Sequence, residues 1–345
     1  MSASLGLLND LSSRLGNNLH LVQGAGGNTS LKQEGTLWVK ASGTWLSDAQ
    51  KNPLLVPLDI VRARAAIDAG SEKDVQNAVI GALNPGGLRP SIEASLHVLM
   101  PQPVVVHVHA VNTIACAVQE DCRSRLAACL EGLSWIFIPY ARPGLPLTRA
   151  VRAAIDSGDR APQVLILGNH GLVVGAETCA EAEALIEEVE RRLAASVRAH
   201  EEPRLADLSA VAHGSPYRVA RLPAAHWPAL NPAAALYAQG GSLYPDHVVF
   251  LGPGATVLEE PEQVKPMVDE RSKAGRRTPA FVLVDGFGAL VRADLPEGAE
   301  PMLACLGLVL SRLPEGARVR YLSEEEEAAL LGWEAEHYRS RLSRG

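Results

Sequence analysis

The sequence predicts an α/β protein with a second, smaller α/β unit behind the first. Three observations carry that reading. Over the first 200 residues, short β-branched runs alternate with stretches whose leucines and valines recur at helical spacing. From about residue 200 to residue 240 the chain is rich in Pro and Ala with little periodicity, and a second α/β pattern follows it. The 345 residues suffice for one large domain or two ordinary ones, and a 47% hydrophobic, 4% aromatic composition implies an aliphatic core. The expected division is 1–205 and 206–345.

In chain order, residues 2–16 place Leu5, Leu8, Leu11 and Leu15 along one side of a short helix. Gly24, Gly26 and Gly27 make a turn-rich loop into Asn28-Thr29-Ser30. Residues 37–40 form a strand, with Ala41-Ser42-Gly43-Thr44 as a second loop at its end. Backbone N–H groups of Gly-rich loops can converge on an anion, and Asn and Ser add donors. The two loops are therefore candidates for one anion pocket, the plainer alternative being ordinary hairpin turns. The first loop is not a dinucleotide fingerprint, because Thr29 stands at the third glycine position and a strand follows. Ser71 to Asp74 open a helix whose Val75, Val79 and Leu83 follow one face until Asn84-Pro85-Gly86-Gly87 closes it.

Further on, residues 111–131 read as a helix, 134–139 as a strand, 149–156 as a helix and 163–167 as a buried strand. Thr178 and Glu181 form a capping box for a long helix with Leu185, Val189, Leu193 and Val197 along one side. In the smaller unit, helices are expected near 229–238, 299–313 and 323–342, and strands at 247–251 and 280–284. The run Glu324 to Glu327 is an acidic helix start that the macrodipole favours.

The chemistry concentrates in residues 90–112. Glu93 lies on a short apolar helix with His97 one turn on, and the Pro101/Pro103 break follows. The next strand carries His107 and His109, which project from one face because successive side chains alternate. Two such imidazoles are half of a tetrahedral zinc site, and a catalytic site takes three protein ligands plus an open position. His170, between Asn169 and Gly171 at the end of a buried strand, is the natural third ligand. His97 is read as a core or neighbouring histidine, and Glu93 as lying near the strand pair.

A net charge of −7 argues against general nucleic-acid binding. The five cysteines, Cys116, Cys122, Cys129, Cys179 and Cys305, are odd in number and form no CxxC pair, which points to reduced thiols in a cytoplasmic protein. No signal-peptide pattern and no bilayer-length apolar run is visible, so a soluble protein without a membrane partner is expected.

Gly27-Asn28-Thr29-Ser30, Ser42-Gly43-Thr44, Pro90-Ser91-Ile92-Glu93, His107-Val108-His109 and Asn169-His170-Gly171 follow in that order over roughly residues 5–200. Together they resemble the class II aldolase/adducin family, the rhamnulose- and fuculose-phosphate aldolases in particular. The resemblance implies a central β-sheet flanked by helices. It implies Zn2+ or another divalent transition metal on His107, His109 and His170, with Glu93 as catalytic acid/base. Gly27, Asn28, Ser42, Gly43 and Ser91 match positions that hold a substrate phosphate, whereas Ile92 stands where related aldolases often carry a second serine. A tyrosine from a neighbouring subunit has only Tyr140 as a candidate here, and a homotetramer is implied with it. The implied activity is that of a lyase, reversibly cleaving a C–C bond of a small ketose phosphate or related hydroxy-ketone through a metal-stabilised enediolate.

The same site also suits a sugar-phosphate epimerase, dehydratase or decarboxylase, although Glu rather than Asp at position 93 favours the lyase. From a different class, a non-catalytic adducin-like module shares the fold without the metal histidines. Tyr244-Pro245-Asp246-His247 and Trp333-Glu334-Ala335-Glu336 look like the extension of aldolase–dehydrogenase fusions, but no nucleotide fingerprint is present and hydride chemistry is not implied.

Overall fold

A computed structural model describes residues 3–158 and 161–332. Its first part runs α1 (Ala3–Gly16), β1 (Asn28–Gln33), β2 (Thr36–Lys40), β3 (Leu55–Asp59), α2 (Ile60–Asp68), α3 (Glu72–Gln76), α4 (Ala94–Leu99) and β4 (Val104–Val108). It continues with α5 (Val111–Ala117), α6 (Cys122–Cys129), β5 (Trp135–Ile138), α7 (Leu145–Asp156), β6 (Val164–Leu167), β7 (Gly171–Ala176) and α8 (Cys179–Arg192). The seven strands form one sheet in the order β3-β2-β1-β4-β7-β6-β5. All neighbours are antiparallel except β5 and β6.

Both faces of this sheet are covered. Val104, Val106 and Val108 pack against Leu8 and Leu11 of α1 and against Ile186 and Val189 of α8. On the opposite face Val105, Leu165 and Val173 meet Leu96 of α4 and Leu147 and Val151 of α7. The alternation along β4 thus sends its odd-numbered residues, His107 included, toward the side where α4 lies.

The C-terminal unit runs α9 (Leu205–Ala212), β8 (Tyr217–Val219), α10 (Pro232–Gln239), α11 (Pro245–Leu251), β9 (Thr256–Leu258), α12 (Val264–Lys273), β10 (Phe281–Val284), β11 (Gly288–Arg292), α13 (Ala299–Leu310) and α14 (Glu324–Leu331). Its four-stranded sheet has the order β8-β11-β10-β9. Helix α13 is almost entirely buried and apolar beyond Glu300 in its first turn, and its core extends to Val111, Ile114 and Val118 at α5. The molecule is therefore the predicted mixed α/β protein, a central sheet between helices with an added C-terminal α/β unit.

Several boundaries differ from the sequence reading. Residues 247–251 are not a strand but lie in α11, with Pro245 in its first turn and Gly252, φ +81°, at its end. An apolar run of this length fits either state, and the Pro and Gly punctuation decides it. The expected helix over 111–131 is two helices. The peptide groups between them pair with residues 318–320, Glu120 N donating to Arg318 O and Arg320 N to Val118 O. The helix opened by Ser71 ends at Gln76, because the following backbone pairs with β3 through Asp59 N to Ala78 O and Ile80 N to Pro57 O. Helix α8 stops at Arg192 and buries Ala182, Ile186 and Val189, while Val197 is exposed. The Thr178 hydroxyl caps Glu181 N, but Glu181 accepts from Glu177 N, so the box is incomplete. Strands β3, β7, β8, β9 and β11 and helices α2, α9 and α12 are additions to the sequence reading. Of the helix expected at 323–342, residues 324–331 are helical with a Ser323/Glu326 capping box, and the rest, with Trp333 to Glu336, lies outside the described residues.

Gly307 shows how closely the C-terminal core is packed. A Cβ added there would lie 1.8 Å from the Ala224 carbonyl oxygen, backbone that cannot step aside. Gly→Ala inside a helix normally gains about 1 kcal/mol. Gly307→Ala is expected instead to lose roughly 1–3 kcal/mol through overpacking, measured by urea unfolding; a gain would contradict this packing.

Candidate metal centre and cleft

Three adjacent strands gather the candidate residues. Asn28 is paired with His107 across β1 and β4, and His107 with Val173 across β4 and β7. The turn from β6 to β7 carries His170, and His109 follows directly on β4. Gly27 precedes Asn28 with φ +68° and would bring a Cβ within 3.0 Å of His107 O, so only glycine lets the loop approach β4 this closely. Among the described residues, His107, His109 and His170 form the group able to hold an ion, with one nitrogen from each within 4.8 Å of the others. All three are buried.

Glu93 lies at the N-cap of α4 rather than within it, and its carboxylate reaches between two of the rings. Oε2 is 3.5 Å from His107 Nε2, and Oε1 is 3.5 Å from His170 Nε2. The Asn28 amide donates to Oε2 at 3.0 Å, and Ser91 Oγ accepts from Glu93 N at 3.2 Å. His107 Nδ1 is 3.0 Å from Leu172 O, which fixes the proton on Nδ1 and turns the Nε2 lone pair toward Glu93. His97 stands apart, fully buried, its Nδ1 2.7 Å from Ser30 Oγ.

Burial governs the protonation of these groups. It pushes His170 down to about 3 and lowers His107, with the Glu93 carboxylate opposing in both cases. Burial also disfavours a charged Glu93, while protonated His107 and His170 alongside would draw its carboxyl down to about 2. At neutral pH the His107 and His170 rings are neutral, so the Asn28 amide is the donor that accompanies the carboxylate. Neutral imidazoles with free lone pairs are the form that ligates a cation.

The predicted anion-pocket residues come together here. Gly27, Asn28, Ser42, Gly43, Ser91 and Glu93 line one cleft with His109 and His170. Backbone bonds from Ser42 N to Arg89 O and Ser91 N to Lys40 O lace the two loops together. Tyr140 does not line this cleft; it borders a separate hollow with Phe137 and Arg320. The sequence reading missed Lys40, whose buried Nζ donates to Ala25 O at 3.1 Å, and Pro245 and Asp246 of α11. No local signal turns Lys40 inward, whereas Pro-Asp at a helix start was legible at 245–246.

The donor set fits a divalent transition metal. His107 Nε2 and Glu93 Oε1 are buried polar atoms without a hydrogen-bond partner, an expensive arrangement that a cation would relieve.

The model of the class II aldolase and adducin N-terminal domain matches residues 9–197, and the chain belongs to that family. A curated relative, the uncharacterized oxidoreductase YuxG of Bacillus subtilis (strain 168), is 27% identical over 210 residues, 55% of this chain and 30% of that protein. The chain thus spans under a third of that relative's length. Among solved structures, the N-terminal class II aldolase domain of a conserved Thermoplasma acidophilum protein is 23% identical, covering 56% of this chain and 93% of that one at TM-score 0.48. An L-fuculose-1-phosphate aldolase from Thermus thermophilus is 16% identical, covering 56% and 93% at TM-score 0.38. Among the described residues no helix is long and apolar enough to cross a membrane.

The buried histidines outside the trio give an acid-stability signature. Burial lowers His97 to about 3 and His247, on α11, to about 4. Below the ordinary value of 6.5 the unfolded chain binds protons that these rings refuse. Stability therefore falls as pH drops from 6.5 toward 4, by about 1.4 kcal/mol per pH unit for each such ring. In urea unfolding with a chelator present, His247→Leu should show a shallower decline than the unaltered chain.

Proposed function

We propose that the protein is a metal-dependent aldolase, a lyase that reversibly cleaves a C–C bond of a small ketose phosphate or related hydroxy-ketone. The observation that carries this reading is the meeting of three buried imidazoles, two of them 3.5 Å from the Glu93 carboxylate, beside a cleft lined by Asn28, Ser42 and Ser91. His107, His109 and His170 would hold the ion, and three imidazoles favour zinc or another transition metal over magnesium. When bound, such an ion supplies Lewis acidity toward a substrate carbonyl. We assign this chemistry to residues 1–205, with residues 206–345 as a supporting unit.

In the condensing direction Glu93 takes the proton from the carbon next to the substrate carbonyl, and in the cleaving direction it returns that proton to the same carbon. Asn28 keeps Oε2 aimed while the proton is on Oε1 or absent. The hydroxyls of Ser42 and Ser91 and the backbone at Gly43 anchor the anionic end of the substrate, and the Lys40 side chain in the same cleft suits an anion there. That remote binding holds the reacting carbons in register with Glu93. Ile92, lining the cleft where related aldolases often carry a second hydroxyl, leaves this anchor with fewer donors.

Elemental analysis should find one transition-metal ion per chain in the unaltered protein and none in His107→Ala. With a panel of ketose phosphates, the metal-loaded protein should release aldehyde. Glu93→Gln should lower turnover about 10²–10⁴-fold. Retention of the metal by His107→Ala would remove this reading, and epimer formation without aldehyde release would replace the lyase by an epimerase.

A further inference from the structure

Asp246 belongs to the C-terminal unit, yet it is 2% exposed and lines the cleft beside the histidines. Its Oδ2 lies 3.1 Å from His109 Nδ1. The same segment grips the turn that carries His170. Asn169, held at φ +53°, donates its amide to Leu243 O at 2.9 Å and to Arg320 O at 2.7 Å. The Arg320 guanidinium in turn donates to Asn169 Oδ1 at 3.2 Å. Helix α5, which leads away from His109, shares its core with α13. Two of the three imidazoles are thus braced by groups that the first 205 residues do not contain.

We infer that the C-terminal unit completes the metal centre in the same chain, with Asp246 as the positioning residue for His109. By accepting the Nδ1–H, the Asp246 carboxylate fixes the tautomer and ring orientation and leaves the Nε2 lone pair for the ion. A carboxylate behind a ligating imidazole also makes the nitrogen a stronger donor, and losing such a partner typically costs 10–100-fold in metal affinity. Asp246 adds a negative charge next to the site, which offsets that of a bound dication and limits its burial cost. The inference rests on the proposal that the three histidines ligate a metal.

The test uses Co2+ as probe on the full chain, its affinity read by competition with a chelator and its coordination by the visible absorption bands. Asp246→Ala should bind Co2+ about 10–100-fold more weakly than the unaltered chain with band positions unchanged. Asp246→Asn, whose amide oxygen can still accept the Nδ1–H, should fall between the two. Equal affinity in Asp246→Ala overturns the inference, as does a band shift showing a changed coordination number, which would make Asp246 a ligand itself. No Co2+ on the unaltered chain would instead remove the metal proposal, and this inference with it. Independently of whether Asp246→Ala folds, ¹⁵N spectra of the metal-free unaltered chain should show His109 protonated on Nδ1; protonation on Nε2 overturns the assignment.

Discussion

The register of β1, β4 and β7 is the constraint on which the site depends. With Asn28 opposite His107 and His107 opposite Val173, the first imidazole points to the α4 side and the Asn28 amide reaches Glu93. A slip of one residue would exchange the two faces and turn His107 toward α1 and α8. Hydrophobicity alone would scarcely resist that slip, because valines fill both faces of β4. The ends of the strands settle it. Gly27 lies against His107 O at a distance only glycine allows, and the tight turn through Asn169 and His170 ties β6 to β7.

A cluster of five buried ionisable groups, Glu93, His107, His109, His170 and Asp246, is costly to desolvate. It is tolerated because Asn28, Leu172 O and Asp246 give fixed partners to Glu93, His107 and His109, and because burial lowers His107 and His170. Two of the atoms left without hydrogen-bond partners, His107 Nε2 and Glu93 Oε1, belong to one carboxylate–imidazole contact, which is where a bound ion would satisfy them. Such a network also imposes order on what surrounds it, since every member must keep its position for the others to remain satisfied.

The C-terminal unit is consequently more than an appendage. Its buried helix α13 shares a core with α5, and residues 318–320 pair with the break between α5 and α6. Arg312 Nε donates to Asn112 Oδ1 at 2.7 Å, close behind His109. These contacts secure the backbone that follows His107 and His109. They also explain the one long helix that the sequence suggested over 111–131: its periodicity is real, but the peptide groups at 118–120 find partners from the far end of the chain instead of from their own helix.

The alternation of β4, the loops at Gly27 and Ser42, the carboxylate at 93 and the histidine after β6 were all legible in the sequence, because each rests on a period or a turn within a few residues. The order of these pieces also sufficed to point to the family. What the sequence by itself determined is therefore the set of chemical groups on the first 205 residues and the local geometry that presents them. Only the tertiary structure decided that the expected helix over 111–131 breaks at 118–120, that Lys40 turns into the cleft and that Asp246 stands behind His109. Those outcomes depend on hydrogen bonds and packing between segments far apart in the chain, and no local periodicity encodes which distant partner a buried polar group will meet.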